Sequence, residues 1–232
     1  MVSTLLRYPK TIWSHNPIPG GCLLYLPLWN NGLWGSTFKS IDPYGHVCTR
    51  TGGVMSGDGF TADGDDFINC GALFNSLATL WISVWFRFTA TFNTGEGAAQ
   101  FLFGKVDDAQ NYFDARFDNT DGKLKWRNVV LAESRFAVAS AETSWAAGVW
   151  QHAHFSLSAA NGVRMIVNNG TAVTNADKRA IPADGDFILG DRTDPGTGIG
   201  LEGTIGEVIV GTNNLTTAEE AYIYNQTKGR HS

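Results

Sequence analysis

Residues 81–88, WISVWFRF, set Ile82, Val84, Phe86 and Phe88 in strict alternation with Trp81, Ser83, Trp85 and Arg87. A period of two with one wholly apolar side marks a β-strand with a buried face, because successive side chains of a strand point to opposite faces. Stretches of the same kind recur at residues 112–117, 150–157, 163–168 and 204–210, each bounded by Gly, Asn or Asp. Residues 23–28 predict one more strand, in which Pro27, unable to donate to a ladder, calls for an edge position or a bulge. Loops rich in Gly, Asp and Asn, such as 94–98, 118–122, 168–170 and 191–200, separate the strands. One segment breaks the pattern. In LTTAEEAYIYN, residues 215–225, threonine precedes acidic residues of a first turn, so a short helix over 217–226 is expected.

With 232 residues and 43% hydrophobic side chains the chain can bury a full core as one domain. No repeat, heptad or linker divides it. Five of the seven prolines fall within the first 43 residues, so residues 1–19 read as an extended arm ahead of a single domain over 20–232. The balance of 17 basic against 22 acidic residues, with no Lys/Arg-rich run, argues against a nucleic-acid partner. No apolar run approaches the ~20 residues of a membrane helix, and the N-terminus lacks a signal-peptide core, so a soluble chain without Sec-type export is expected. The sequons at Asn169, Asn214 and Asn225 then read as chance matches. Cys22, Cys48 and Cys70 are odd in number; buried thiols are expected, with a Cys48–Cys70 disulfide as the alternative.

The order of segments resembles the laminin G-like jelly rolls, within the concanavalin A-like lectin/glucanase group, from about residue 23 to 229. FTADGDDFI (60–68) is similar to the family's F-D-G-x-D-D-Y-I, and ISVW (82–85) to its T-I-S-x-W strand. FLFGK (101–105) is similar to the next strand, WQHA (150–153) to W-H-H-V, and VRMIVNNG (163–170) to the strand ending in Y-V-D-G. FILG (187–190), GTIGEVIV (203–210) and the closing LTTAEEAYIYN complete the series. The resemblance implies an all-β fold: a two-sheet antiparallel jelly-roll sandwich with a short C-terminal helix. It also implies a lectin-like binding or structural module, which the missing catalytic carboxylates described below make non-catalytic. Standing alone behind an LLYLPLW opening, such a domain looks like those of bacteriophage structural proteins, which implies a virion surface and other virion or self subunits as partners. Three positions depart from the family: Gln151 for the first His of W-H-H-V, Asn168 for Asp, and Gly206 for the Asp of I-D-E-V.

Chemistry narrows this reading. Glycosidases of the fold need two carboxylates about 5 to 9.5 Å apart, and related glucanases carry Glu-x-Asp-x-Glu on one strand. No such triplet occurs, and Glu207 has no acid two residues away, so an enzyme is not expected; a polysaccharide hydrolase or lyase is the alternative. There is no G-x-S-x-G elbow or P-loop, and the G-x-G-x-x-G of 198–203 enters a strand rather than a helix. His152 and His154 share a strand face with Trp150 and read as structural. Asp63, Asp65 and Asp66, with Asp58 nearby, concentrate hard oxygen ligands for calcium; the alternative is a turn held by Asx hydrogen bonds. For a surface polysaccharide, the candidate residues are Trp29, Asn31 and Trp34 in one loop and Asp191, Arg192 and Asp194 in another, with Asp107, Asp108, Asn111 and Tyr112 nearby. For Trp29 and Trp34, packing against the sheet or a subunit interface is the role expected ahead of sugar binding.

Overall fold

The computed structural model describes residues 21–108, 111–130, 136–158, 161–176, 181, 184–192 and 200–231. The proposed arm, residues 1–19, lies outside the described residues. Two eight-stranded antiparallel sheets face each other. The first runs in the order β16 (Val173–Asn175), β15 (Gly162–Val167), β14 (Gln151–Ser158), β7 (Leu80–Phe88), β18 (Glu202–Gly211), β5 (Gly59–Asp63) and β4 (Val54–Ser56), with β1 (Cys22–Pro27) on the second half of β18. The second runs β12 (Phe136–Ala139), β11 (Leu124–Val129), β10 (Asn111–Phe117), β9 (Gln100–Asp108), β17 (Phe187–Leu189), β6 (Phe67–Asn69), β3 (Val47–Thr51) and β2 (Thr37–Lys39). A two-stranded ribbon, β8 (Phe92–Asn93) with β13 (Ser144–Trp145), closes one end. This is the expected all-β sandwich.

The core lies where the alternation put it. Ile82, Val84, Phe86 and Phe88 meet Phe113, Ala115 and Phe117 across the sheets, all buried. Phe88 and Phe117 cross edge to face at 4.7 Å, the arrangement that aromatic quadrupoles favour. β1 takes its ladder from β18, and Pro27 is its last residue, so the missing N–H costs the ladder little. The β15–β16 turn uses Asn168 and Asn169, both at positive φ (51° and 57°), as a tight hairpin requires.

The outer face of the first sheet is also buried, which the alternation of β7 does not disclose. Helix α1 (Thr217–Lys228) is capped by Thr216, whose hydroxyl and N–H exchange hydrogen bonds with Glu219 in a capping box. It lies over Trp81, Trp85, His152 and His154, with the Trp85 indole donating to Thr227 Oγ1 at 2.7 Å and stacking on Tyr224 at 5.5 Å. No helix among the described residues is long and apolar enough to cross a membrane.

Candidate functional site

The acids and histidines that chemistry singles out first are sealed beneath α1. Glu207 is fully buried and is met by Tyr25 Oη at 2.9 Å, Arg230 Nη1 at 2.6 Å and His231 Nε2 at 3.4 Å. Burial pushes its carboxyl up, but the His231 hydrogen bond and the Arg230 charge prevail and hold it below the usual range. His152 pairs with Ser83 Oγ at 2.8 Å, and His154 lies 3.5 Å from Glu220, which Arg164 also engages. Burial lowers both histidines, His154 to about 3, so both rings are neutral. These groups hold a helix against a sheet.

The three positions that depart from the resembled motifs each have a local explanation. Gln151 and Asn168 pair with each other: Asn168 Nδ2 donates to Gln151 Oε1 at 2.5 Å while its Oδ1 accepts from the His152 N–H. Gly206 is a bulge residue between Ile205 and Glu207, and a Cβ there would stand 2.5 Å from His231 and 2.9 Å from Trp150. An acid at 206 and the closed C-terminus exclude each other.

The outer face of the second sheet is charged, and no helix among the described residues lies over it. Register places Arg127, Asp114, Gly104 and Ile188 in one row across β11, β10, β9 and β17. Arg127 grips the fully buried Asp114 with two nitrogens, Nε at 2.8 Å, and this pairing outweighs desolvation to raise its own pKa. Gly104 leaves a notch that Arg192 fills, since a Cβ on Gly104 would come within 2.4 Å of the Arg192 Cβ. The Arg192 guanidinium lies 4.9 Å from the Phe101 ring centre and 5.7 Å from that of Tyr112, with Asp114 at 3.7 Å. Arg127 covers Tyr112 from 5.0 Å. The result is a partly exposed tyrosine between two guanidinium planes, on rigid strands, with Arg192 31% exposed. Such a face offers planar donors, held in place by an aromatic ring, that are suited to hydroxyls and carboxylates.

The expected site residues separate. Arg192 stands on this face with Tyr112. Asp191 does not: it is fully buried, and its Oδ1 accepts from the Arg192 N–H at 2.7 Å, so it shapes the turn that presents Arg192. Asp194 lies outside the described residues. Trp29 turns toward Arg230, whose guanidinium carbon is 5.6 Å from its ring, beside the Glu207 cluster of the first sheet. Asn31 is exposed in a single 3-10 turn, and Trp34, 38% exposed, donates to Leu28 O at 3.3 Å. Trp29 thus sits with the first sheet and Arg192 on the second.

Asp63, Asp65 and Asp66 do converge, with one oxygen from each within 4.8 Å of the others. Asp66 accepts from the Asp63 N–H at 3.2 Å, and its pKa is raised by burial and by the Asp63 side chain. Glu202 faces Asp63 in register, adding a fourth carboxylate nearby. The donors are the hard oxygens calcium prefers, although Asp66 also does the work of an Asx turn.

Sequence reasoning passed over Asp114, Arg127 and Gly104. The signal was present, because DAR at 114–116 and KWR at 125–127 place charge at alternate positions of two strands joined by a turn.

No protein-family profile and no curated protein sequence matches the chain. Solved structures do. Domain 4 of AbnA, an extracellular GH43 arabinanase of Geobacillus stearothermophilus solved with arabinotriose, superposes over 89% of this chain and 98% of its own at a TM-score of 0.62 and 18% identity. Trypanosoma rangeli sialidase with sialic acid matches over 93% at 0.68 and 12% identity, but this chain spans only 34% of that protein. The receptor-binding domain of a botulinum neurotoxin C/D mosaic matches over 88% of this chain and 50% of its own at 0.64 and 11% identity. At these identities the likeness establishes the β-sandwich fold.

Proposed function

We propose that the chain is a non-catalytic carbohydrate-binding module whose binding surface is the outer face of β9, β10 and β11 around Tyr112 and Arg192. The observation that carries this reading is Tyr112 held by Arg127 and the partly exposed Arg192 on the charged outer face of the second sheet. The near-complete overlap with a domain solved with arabinotriose supports the ligand class. Arg192 would orient hydroxyls or a carboxylate while Tyr112 holds its guanidinium in place. A calcium ion held by Asp63, Asp65 and Asp66 would stiffen the neighbouring loop. The setting we infer is the surface of a bacteriophage particle, in a fibre or decoration protein that meets bacterial polysaccharide; its support is the resemblance of the chain, with its LLYLPLW opening, to such proteins.

A glycan array probed with the purified chain, once with calcium and once with EDTA, tests the reading. Saturable binding is expected; its loss in EDTA would place calcium in the site, and binding indifferent to EDTA would remove it. Absence of binding across a broad array would overturn the proposal. Release of reducing ends from a bound glycan would replace it with the hydrolase alternative.

A further inference from the structure

We propose that the hollow between residues 42–46 and 71–76 is a second ligand site, taking a single neutral sugar ring. It is a separate surface from the Arg192 face. Leu23, Leu73 and Phe74 form its apolar wall, and Tyr44, His46 and Asn75 form its rim, around a cavity of about 280 Å³. That volume lies just below the about 300 to 1,000 Å³ of ordinary ligand pockets, so it suits one ring rather than an oligosaccharide. No carboxylate, lysine or arginine is among the described residues that line it, which disfavours an ionic ligand.

The rim is built for a flat, hydroxylated molecule. Tyr44 is 64% exposed yet stacks on His46, centroids 5.7 Å apart and planes 26° from parallel, giving a platform for the C–H face of a sugar. Such an exposed ring would ordinarily be loose, but here the buried Asp42 fixes its loop. One Asp42 oxygen accepts from the Tyr44 and Gly45 N–H groups at 2.9 and 3.2 Å, and the other accepts from Tyr25 N–H at 3.1 Å.

The opposite wall is fixed by a buried cation. Lys105 points into the sandwich, fully buried, and donates to Asn75 Oδ1 at 3.0 Å and to the carbonyls of Asp184 and Gly185 at 2.7 Å. Because only the amide oxygen of Asn75 can accept from an ammonium group, its NH₂ end is left to meet a hydroxyl. Phe74 and Ser76 on this loop hold φ values of 64° and 53°. A bulky side chain rarely adopts that region, and such backbone persists where the surroundings over-determine it. Two buried charges thus hold two loops so that an exposed aromatic platform faces an apolar wall. Preorganisation of this kind lowers the ordering cost of binding a small ligand.

The test is saturation-transfer NMR on the full chain with the methyl glycosides of glucose, galactose, mannose and arabinose. Every measurement is made in the Arg192→Ala background, so that the other face does not contribute. Transfer to at least one glycoside is expected, falling tenfold or more when Tyr44→Ala or His46→Ala is added while each double variant melts as Arg192→Ala does. No transfer to any of the four, or equal transfer after Tyr44→Ala is added, would overturn the second site. Failure here is distinguishable from failure of the proposed function, which the glycan array reads on the wild type.

Discussion

His231 lies flat against the Trp85 indole, with ring centroids 4.9 Å apart and planes 23° from parallel. That contact closes the C-terminal segment over β7 and β18, and it is possible only because residue 206 has no side chain. Gly206→Asp should therefore cost about 3 kcal/mol or more, through overpacking and a buried carboxylate. Differential scanning calorimetry would register a fall in Tm of about 6–12 °C for a domain of this size.

Acid should loosen the same contact. His152 and His154 are neutral in the folded chain, whereas in the unfolded chain each titrates near 6.5. The folded state's advantage is complete above that value and is lost as pH falls through 6.5 toward the depressed folded values. By pH 5.5 each histidine should cost about 1.4 kcal/mol. Glu220, raised by burial against the pull of Arg164, acts in the opposite sense, so the comparison with a histidine variant, rather than the pH window, isolates the histidines. Denaturant unfolding at several pH values should show about half the slope in His154→Gln.

Much of this was legible in the chain. The alternation in WISVWFRF located β7 and its core face, and the Thr-Ala-Glu-Glu run located α1 and its first turn, although the helix continues to Lys228 rather than stopping at 226. The alternation could not reveal that Trp81 and Trp85 would be covered as fully as Ile82 and Phe86, because a helix distant in sequence supplies the cover. Nor could it join Arg192 to Tyr112. Their meeting depends on β17 pairing with β9 and on the notch at Gly104, both products of sheet order rather than local pattern. Tryptophan and asparagine in the 29–34 loop suit a sugar site and a packed loop alike, and the fold turns Trp29 toward Arg230.

The thiols should be slow to react. Cys48 and Cys70 sit side by side on β3 and the end of β6, both free and buried, and the hydrogen bond to Cys48 together with burial pushes the Cys70 pKa well up. Cys22 is pushed up to about 12, chiefly by burial. Iodoacetamide at pH 8 should label none of the three rapidly in the folded chain and all three in denaturant; prompt labelling of the native protein would contradict the packing described.

Calcium, if held by the 63–66 loop, should raise stability by mass action, about 2.7 kcal/mol at a hundredfold excess over Kd. A Tm gain of about 5–10 °C in calcium is expected for the wild type and none for Asp65→Asn, whose side chain is exposed. Equal gains in both proteins would remove the ion from this loop.

Gly104→Ala is a probe of the binding face that touches no ligand. Its methyl group would displace Arg192, so glycan affinity should fall as far as in Arg192→Ala, about 10-fold or more, with both sheets intact by circular dichroism.

The most direct measurement is isothermal titration of whichever glycan the array identifies into the wild type, Arg192→Ala and Trp34→Ala. The Tyr112–Arg192 face predicts a loss of about 10- to 100-fold in Arg192→Ala, the worth of one anchoring side chain, and wild-type affinity in Trp34→Ala. Undiminished binding in Arg192→Ala, or loss confined to Trp34→Ala, would contradict it and return the site to the tryptophan loop.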